Sequence, residues 1–176
     1  MADFDLAIPI TLKNEGGFAD VLATGEIVNY GITADFLKAI GQPKTLDEIR
    51  AMPQSEAVAL YRKYFWDAHN FGAINDQRLA SKAFDLTVNM GAGALIKGKV
   101  IPGGVTLLQE AANQLGAQLT VDGRFGAASQ TAVDQLDAAK LYDRYVALAS
   151  QHYCAIAAAD PNHARDLPGW LARLER

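Results

Sequence analysis

Apolar residues recur every four positions at the start of the chain, at Phe4, Ile8 and Leu12. That spacing predicts a helix with one buried stripe, capped by Asp3 or Asp5 and ended by Gly16-Gly17. Pro9 fits a helix only near its first turn, so a bend is expected there. From Asp20 to Thr33 the period changes to two. Glu26, Val28, Tyr30 and Ile32 alternate with Ile27, Asn29 and Gly31, and Thr24-Gly25 sits where a hairpin turn belongs. This hairpin, at about residues 20–33, is the one strand pair the pattern predicts.

Helical signals fill the rest. Thr45 and Glu48 form a capping-box pattern. Pro53 suits the first position of a helix running to about Ala68, with Ala57, Leu60, Tyr61, Tyr64 and Phe65 on its apolar side. Asp76 opens another helix through Phe84 and Val88, closed by Gly91 and Gly93. Lys97 to Gly104 is polar and glycine-rich, the best place for a subdomain boundary. Val105, Leu108, Ala112 and Leu115 mark a helix stopped by Gly116, and Val121-Asp122-Gly123 reads as a turn. Leu136 to Ile156 is one long helix or two abutting ones. Pro168 starts a last short helix containing Trp170, Leu171 and Leu174. The expected architecture is mainly α, with regions 1–95 and 96–176 packed into one body.

Composition narrows the function. The 176 residues are 50% hydrophobic, enough for a real core and against disorder. A net charge of −4 argues against duplex binding, which wants a basic face. A partner that is itself anionic must then be gripped by a shaped cleft rather than by bulk charge. The single cysteine, Cys154, excludes an internal disulfide and is expected as a small buried residue in a helix. His69, His152 and His163 lack metal-ligand spacing, so no metal or cofactor is expected. Met1 to Pro9 has no basic segment and no long apolar run follows. The sequence therefore predicts no ordinary signal peptide, no membrane insertion and synthesis in the cytoplasm. A monomer is expected.

Glycoside cleavage needs a carboxylic acid that stays protonated near neutral pH and a second group that activates water or attacks carbon. Glu15 suits the first role. It falls at the C-terminal end of a predicted helix, where the macrodipole disfavours negative charge, and Phe18 with the Gly-Gly turn could supply an apolar wall. Both effects raise a carboxyl pKa. In the hairpin, Glu26 is the first candidate to hold water and Tyr30 to line a sugar subsite, with Asp20 the other nearby acid. Taken singly, Glu26 and Asp20 read as well as solvated charges on a hairpin rim.

Several motifs, in order, resemble glycoside hydrolase family 108, the phage endolysin and secretion-activator muramidases with a C-terminal peptidoglycan-binding region. Glu15-Gly16-Gly17-Phe18 is similar to the family's Glu-Gly-Gly-Tyr signature. Asn29-Tyr30-Gly31-Ile32-Thr33 matches the segment closing its hairpin. Tyr61-Arg62-Lys63-Tyr64-Phe65-Trp66 resembles its aromatic helix, and Phe84-Asp85-Leu86-Thr87-Val88-Asn89-Met90-Gly91 the end of its first region. Leu108-Gln109, Val121-Asp122-Gly123-Arg124-Phe125-Gly126 and Gly169-Trp170-Leu171-Ala172-Arg173 resemble its second region.

The resemblance implies a lysozyme-like, mostly helical fold and hydrolysis of the N-acetylmuramic acid to N-acetylglucosamine bond of peptidoglycan, with Glu15 as general acid. It offers Tyr30, Asn29, Thr33 and Asn89 as substrate-binding candidates, while Asp85 and Asn89 also read as polar anchors between a helix and a turn. It further implies action on periplasmic peptidoglycan after holin- or secretion-type release. The chain departs from the family just after the signature, at Ala23-Thr24-Gly25-Glu26-Ile27-Val28. The usual Asp is absent, Glu26 stands for the second Gly and Val28 for the Thr. The second catalytic group therefore stays open between Glu26, Thr24 and a water held by backbone. Two rival functions follow: a wall-binding protein without catalysis, and a phage or secretion component whose role is assembly contact.

Overall fold

A computed structural model describes residues 1–17 and 27–176 in full and residues 19–21 and 26 as backbone alone. Helix α1 spans Phe4–Glu15, with Asp3 accepting the Asp5 amide at 2.8 Å and Gly16 ending it at φ 77°. Pro9 lies inside this helix. Phe4, Ala7, Ile8 and Thr11 form the buried stripe, and Leu12 is half-buried at its edge.

Strands β1 (Ala19–Val21) and β2 (Glu26–Val28) pair antiparallel, Ala19 opposite Val28. The expected turn at Thr24-Gly25 lies outside the described residues. The period-two pattern stops short of Thr33. Tyr30 (φ 52°) and Gly31 (φ 77°) form a second tight turn, bridged by Asn29 and Ile32. The alternation Asn29-Tyr30-Gly31-Ile32 looks like strand in sequence, but a glycine beside a left-handed residue reverses the chain.

Helix α2 (Ala34–Ala39) starts at Thr33, and α3 (Leu46–Arg50) starts with the Thr45–Glu48 capping box. Helix α4 (Gln54–Tyr61) then widens into a π-helical segment over Arg62–Asp67. The widened turn changes the phase of the stripe. Trp66 goes to the core, while Tyr64 and Phe65 are half-buried against Phe36. Trp66, Phe4 and Phe84 meet edge to face, centroids 5.6–5.7 Å apart.

Helix α5 (Gln77–Met90), capped by Asp76, is the central element, with every residue from Leu79 to Thr87 buried. Packed on it are α1 and α6 (Gly104–Gln114). Between α5 and α6 lies a second hairpin, β3 (Ala94–Ile96) and β4 (Lys99–Ile101), where the sequence pattern suggested only a polar boundary. Its signal was the Lys97-Gly98 pair, at φ 49° and 78°, between short apolar runs. Helix α7 (Ala127–Gln135) follows, then α8 (Ala138–Ala159) as one continuous helix, α9 (Pro161–Ala164) and α10 (Leu167–Leu174). Cys154 is in α8 as expected but is exposed. The buried stripe of α8 runs through Leu141, Tyr145, Ala149 and Tyr153, and one residue further is about 100° around the helix.

Among the described residues no helix is long and apolar enough to cross a membrane, and no group of His, Cys, Asp or Glu could hold a metal ion.

Candidate active site

Glu15 ends α1, where the chain turns away through Gly16. Its carboxylate meets the other end of the molecule. Arg173, on α10, donates from Nη2 to Glu15 Oε1 at 2.6 Å. The same guanidinium places Nη1 3.7 Å from Asp85 Oδ1 and donates to the Asp85 carbonyl at 3.3 Å. Asn14 donates to Asp85 Oδ1 at 3.0 Å, and Arg176 donates to Asn14 Oδ1 at 2.6 Å. Asp85 is fully buried, so its charge needs a buried cation, and Arg173 supplies it. Burial disfavours the charged guanidinium, but Asp85 and Glu15 outweigh that and hold Arg173 above the ordinary arginine value. Lys82, also buried, donates to the carbonyls of Arg173 and Leu174 at 2.8 and 3.2 Å, fixing the end of α10.

The second carboxylate oxygen faces the Tyr30-Gly31 turn. A Cβ on Gly31 would lie 2.7 Å from Glu15 Oε2 and would overlap the Tyr61 hydroxyl. Only glycine lets the turn pack this closely against Glu15 and Tyr61, and its φ of 77° also favours glycine. Tyr61 braces the turn by donating to the Tyr30 carbonyl at 2.7 Å. Burial first, and the charge of Glu15 second, push the Tyr61 phenol far above its usual range, so it stays a donor.

Two open cavities flank this arrangement. One, of about 500 Å³, contains Glu15, Asn89, Trp170 and Arg173. The other, of about 550 Å³, is bordered by Leu12, Lys13, Gly16, Tyr30 and Gln54. A third cavity of about 310 Å³, lined by Leu6, Ile10 and Tyr142, reaches the back of Asp85 but does not contain Glu15.

The sequence candidates separate on these facts. Glu15, Tyr30 and Asn89 border the cleft. Asn29 does not offer its amide to a ligand. It is buried, and Nδ2 donates to the carbonyls of Ile49, Arg50 and Met52 at 3.0–3.2 Å, which terminates α3. Thr33 caps α2, its hydroxyl accepting the Phe36 amide at 3.1 Å. The side chains of Glu26 and Asp20, and all of Phe18 and Thr24, lie outside the described residues. Asp85 and Asn89 anchor structure as expected, Asn89 accepting the Tyr153 hydroxyl at 2.7 Å. Sequence reasoning gave Arg173 no role although its motif was singled out. The one signal available was Asp85, an acid within an apolar helix face that required some cation.

The glycosyl hydrolase 108 family matches residues 8–91, and a predicted peptidoglycan domain matches residues 103–175. The solved structure of SagA from Brucella abortus has a TM-score of 0.75 to this chain at 20% identity, covering 98% of this chain and 90% of that one. That similarity supports a lysozyme-like, mainly α fold. No curated protein matches the chain.

Proposed function

Residues 8–91 belong to the glycosyl hydrolase 108 family and residues 103–175 to the predicted peptidoglycan domain, and on that premise we propose that this peptidoglycan-directed glycosidase is an endo-acting muramidase. In this reading the cleaved bond runs from N-acetylmuramic acid to N-acetylglucosamine, and Glu15 is the general acid. The observation that carries it is Glu15 itself, set at a helix end between two open cavities.

Arg173 can only donate, so Glu15 Oε1 accepts from it and Oε2 is the oxygen left for proton transfer. The open cavity that Glu15 lines is where a glycosidic oxygen can approach it. The Oε2 proton passes to that oxygen as its bond to the anomeric carbon breaks. A water adds its oxygen to the anomeric carbon and gives up a proton to a second base. Glu26, at the start of β2, is the proposed base. The site then acts on periplasmic peptidoglycan, as the resemblance implied.

A second reading, a wall-binding protein with weak or no hydrolysis, draws on the same ion pair. A carboxylate held by a buried arginine is also what a purely structural anchor looks like. Mass spectrometry of fragments released from purified Gram-negative sacculi separates the two. Muramic acid at the new reducing ends supports the proposal. Glucosamine there refutes the bond assignment, and intact sacculi refute hydrolysis.

A further inference from the structure

The cavity beside Glu15 is walled largely by the segment after α8. Arg165, Asp166, Trp170 and Arg173 all line it, and all fall within the residues matched by the predicted peptidoglycan domain. On the proposed function, this one cleft serves both wall recognition and cleavage. Arg173 is committed to Glu15 and Asp85, which leaves the others to meet a ligand.

Their chemistry is specific. Trp170 is half-buried and stacked on Tyr153, centroids 5.2 Å apart at 23°, with the His163 ring at 5.8 Å. It is a braced ring whose remaining surface can meet the face of a sugar. The exposed Asn89 has its carbonyl oxygen taken by Tyr153 at 2.7 Å, so its amide nitrogen is the end left to donate. The Arg165 side chain is 84% exposed, and its Nε stands 3.6 Å from Asp166 Oδ1. Asp166 Oδ2 also faces His163 Nδ1 at 3.4 Å. Exposed pairs of this kind contribute little, so Arg165 can exchange Asp166 for another carboxylate with bidentate geometry.

A ring face, an amide donor and an exchangeable guanidinium around one polar cavity match an N-acetylated sugar that carries a carboxylate. We propose that this cavity holds the peptide-bearing sugar of the wall strand, and that Arg165 selects it by a peptide carboxylate for which Asp166 competes. The proposal rests on peptidoglycan as the substrate, but not on Glu15 chemistry.

The test is binding of a disaccharide that carries a tripeptide, against the same compound with its carboxylates amidated. Each has N-acetylmuramic acid at its reducing end, so neither contains the N-acetylmuramic acid to N-acetylglucosamine bond. Trp170 fluorescence reports occupancy, because Trp66, the other tryptophan, is buried in the core. The free-carboxylate ligand should bind about tenfold tighter to the native chain. Arg165→Glu should bring that ratio to about one, and Asp166→Asn should widen it, a pair of opposite signs that lost packing would not produce. Equal affinity for the two ligands in the native chain, a ratio that survives Arg165→Glu, or no binding of either compound would overturn the proposal. Failure of hydrolysis alone, with the ratio intact, would count against the Glu15 mechanism and not against this site.

Discussion

Arg173 and Glu15 stand 158 residues apart in the chain and 2.6 Å apart in the fold. The contact closes the molecule on itself, because α10 reaches the end of α1 through it. Arg173 also serves Asp85, so one guanidinium compensates two carboxylates, of which one is fully buried. Removing it leaves a buried charge unmatched. Arg173→Met should lower stability by about 3–5 kcal/mol, the usual cost of breaking one side of a buried pair. Urea unfolding measures this. A loss under about 1 kcal/mol would show that the pair is not structural.

Gly31 gives a sharper test of the space before Glu15. Gly31→Ala places a methyl against Glu15 Oε2 and the Tyr61 hydroxyl, in a backbone conformation that disfavours any side chain. Gly98→Ala meets the same backbone penalty, at φ 78°, but open space. Gly98→Ala should therefore cost only about 1 kcal/mol, and Gly31→Ala clearly more. In activity assays Gly31→Ala should fall far more than Gly98→Ala, measured well below both melting points. Equal behaviour of the two variants would mean that the turn does not shape the site.

Asn29 distinguishes a structural residue from a binding one. Its amide ends α3 through three carbonyls. Asn29→Ala should cost about 1–3 kcal/mol in stability, the penalty for buried polar groups left unpaired. The KM of the folded variant should stay within about twofold, because the amide has no share in the cleft. A large rise in KM with stability intact would return Asn29 to the substrate site.

His69 carries a pH prediction. Burial lowers its pKa from 6.5, and the ring stacks on Phe71 at 5.6 Å. A histidine whose folded pKa is depressed favours the folded state above the unfolded value of 6.5, where both states are neutral. As pH falls below that value the unfolded chain takes up the proton first, and stability declines toward the folded pKa. His152, lowered by burial too, adds in the same direction. Melting temperature should thus fall as pH drops below about 6.5, and His69→Gln should flatten the slope. An unchanged slope in His69→Gln would remove His69 from the account.

Local order was well written in the sequence. Asp3, Thr45, Asp76 and the glycines at 16 and 91 start and stop helices where their side-chain and backbone preferences require. The errors share a physical origin. The π-helical turn after Tyr61 has no simple period, so Trp66 could not be told from its neighbours. Lys97-Gly98 is too short a turn signal to outweigh a polar, glycine-rich context. Cys154 follows from the exact phase of a 22-residue helix, which composition does not give. Glu15 was legible because its site is local, a helix end followed by two glycines. Arg173, Trp170 and Arg165 were not, since a contact across 158 residues depends on how α5, α8 and α10 pack.

The proposed hydrolysis depends most on Glu15 as proton donor. The decisive measurement is kcat for reducing-end release from purified sacculi by the native chain and by Glu15→Gln. Glutamine keeps an acceptor for Arg173 but cannot give up a proton. The prediction is a loss of at least about a hundredfold in kcat, the scale of general acid catalysis, with the melting curve still cooperative. Activity within a few-fold of the native chain in a folded Glu15→Gln variant would contradict it.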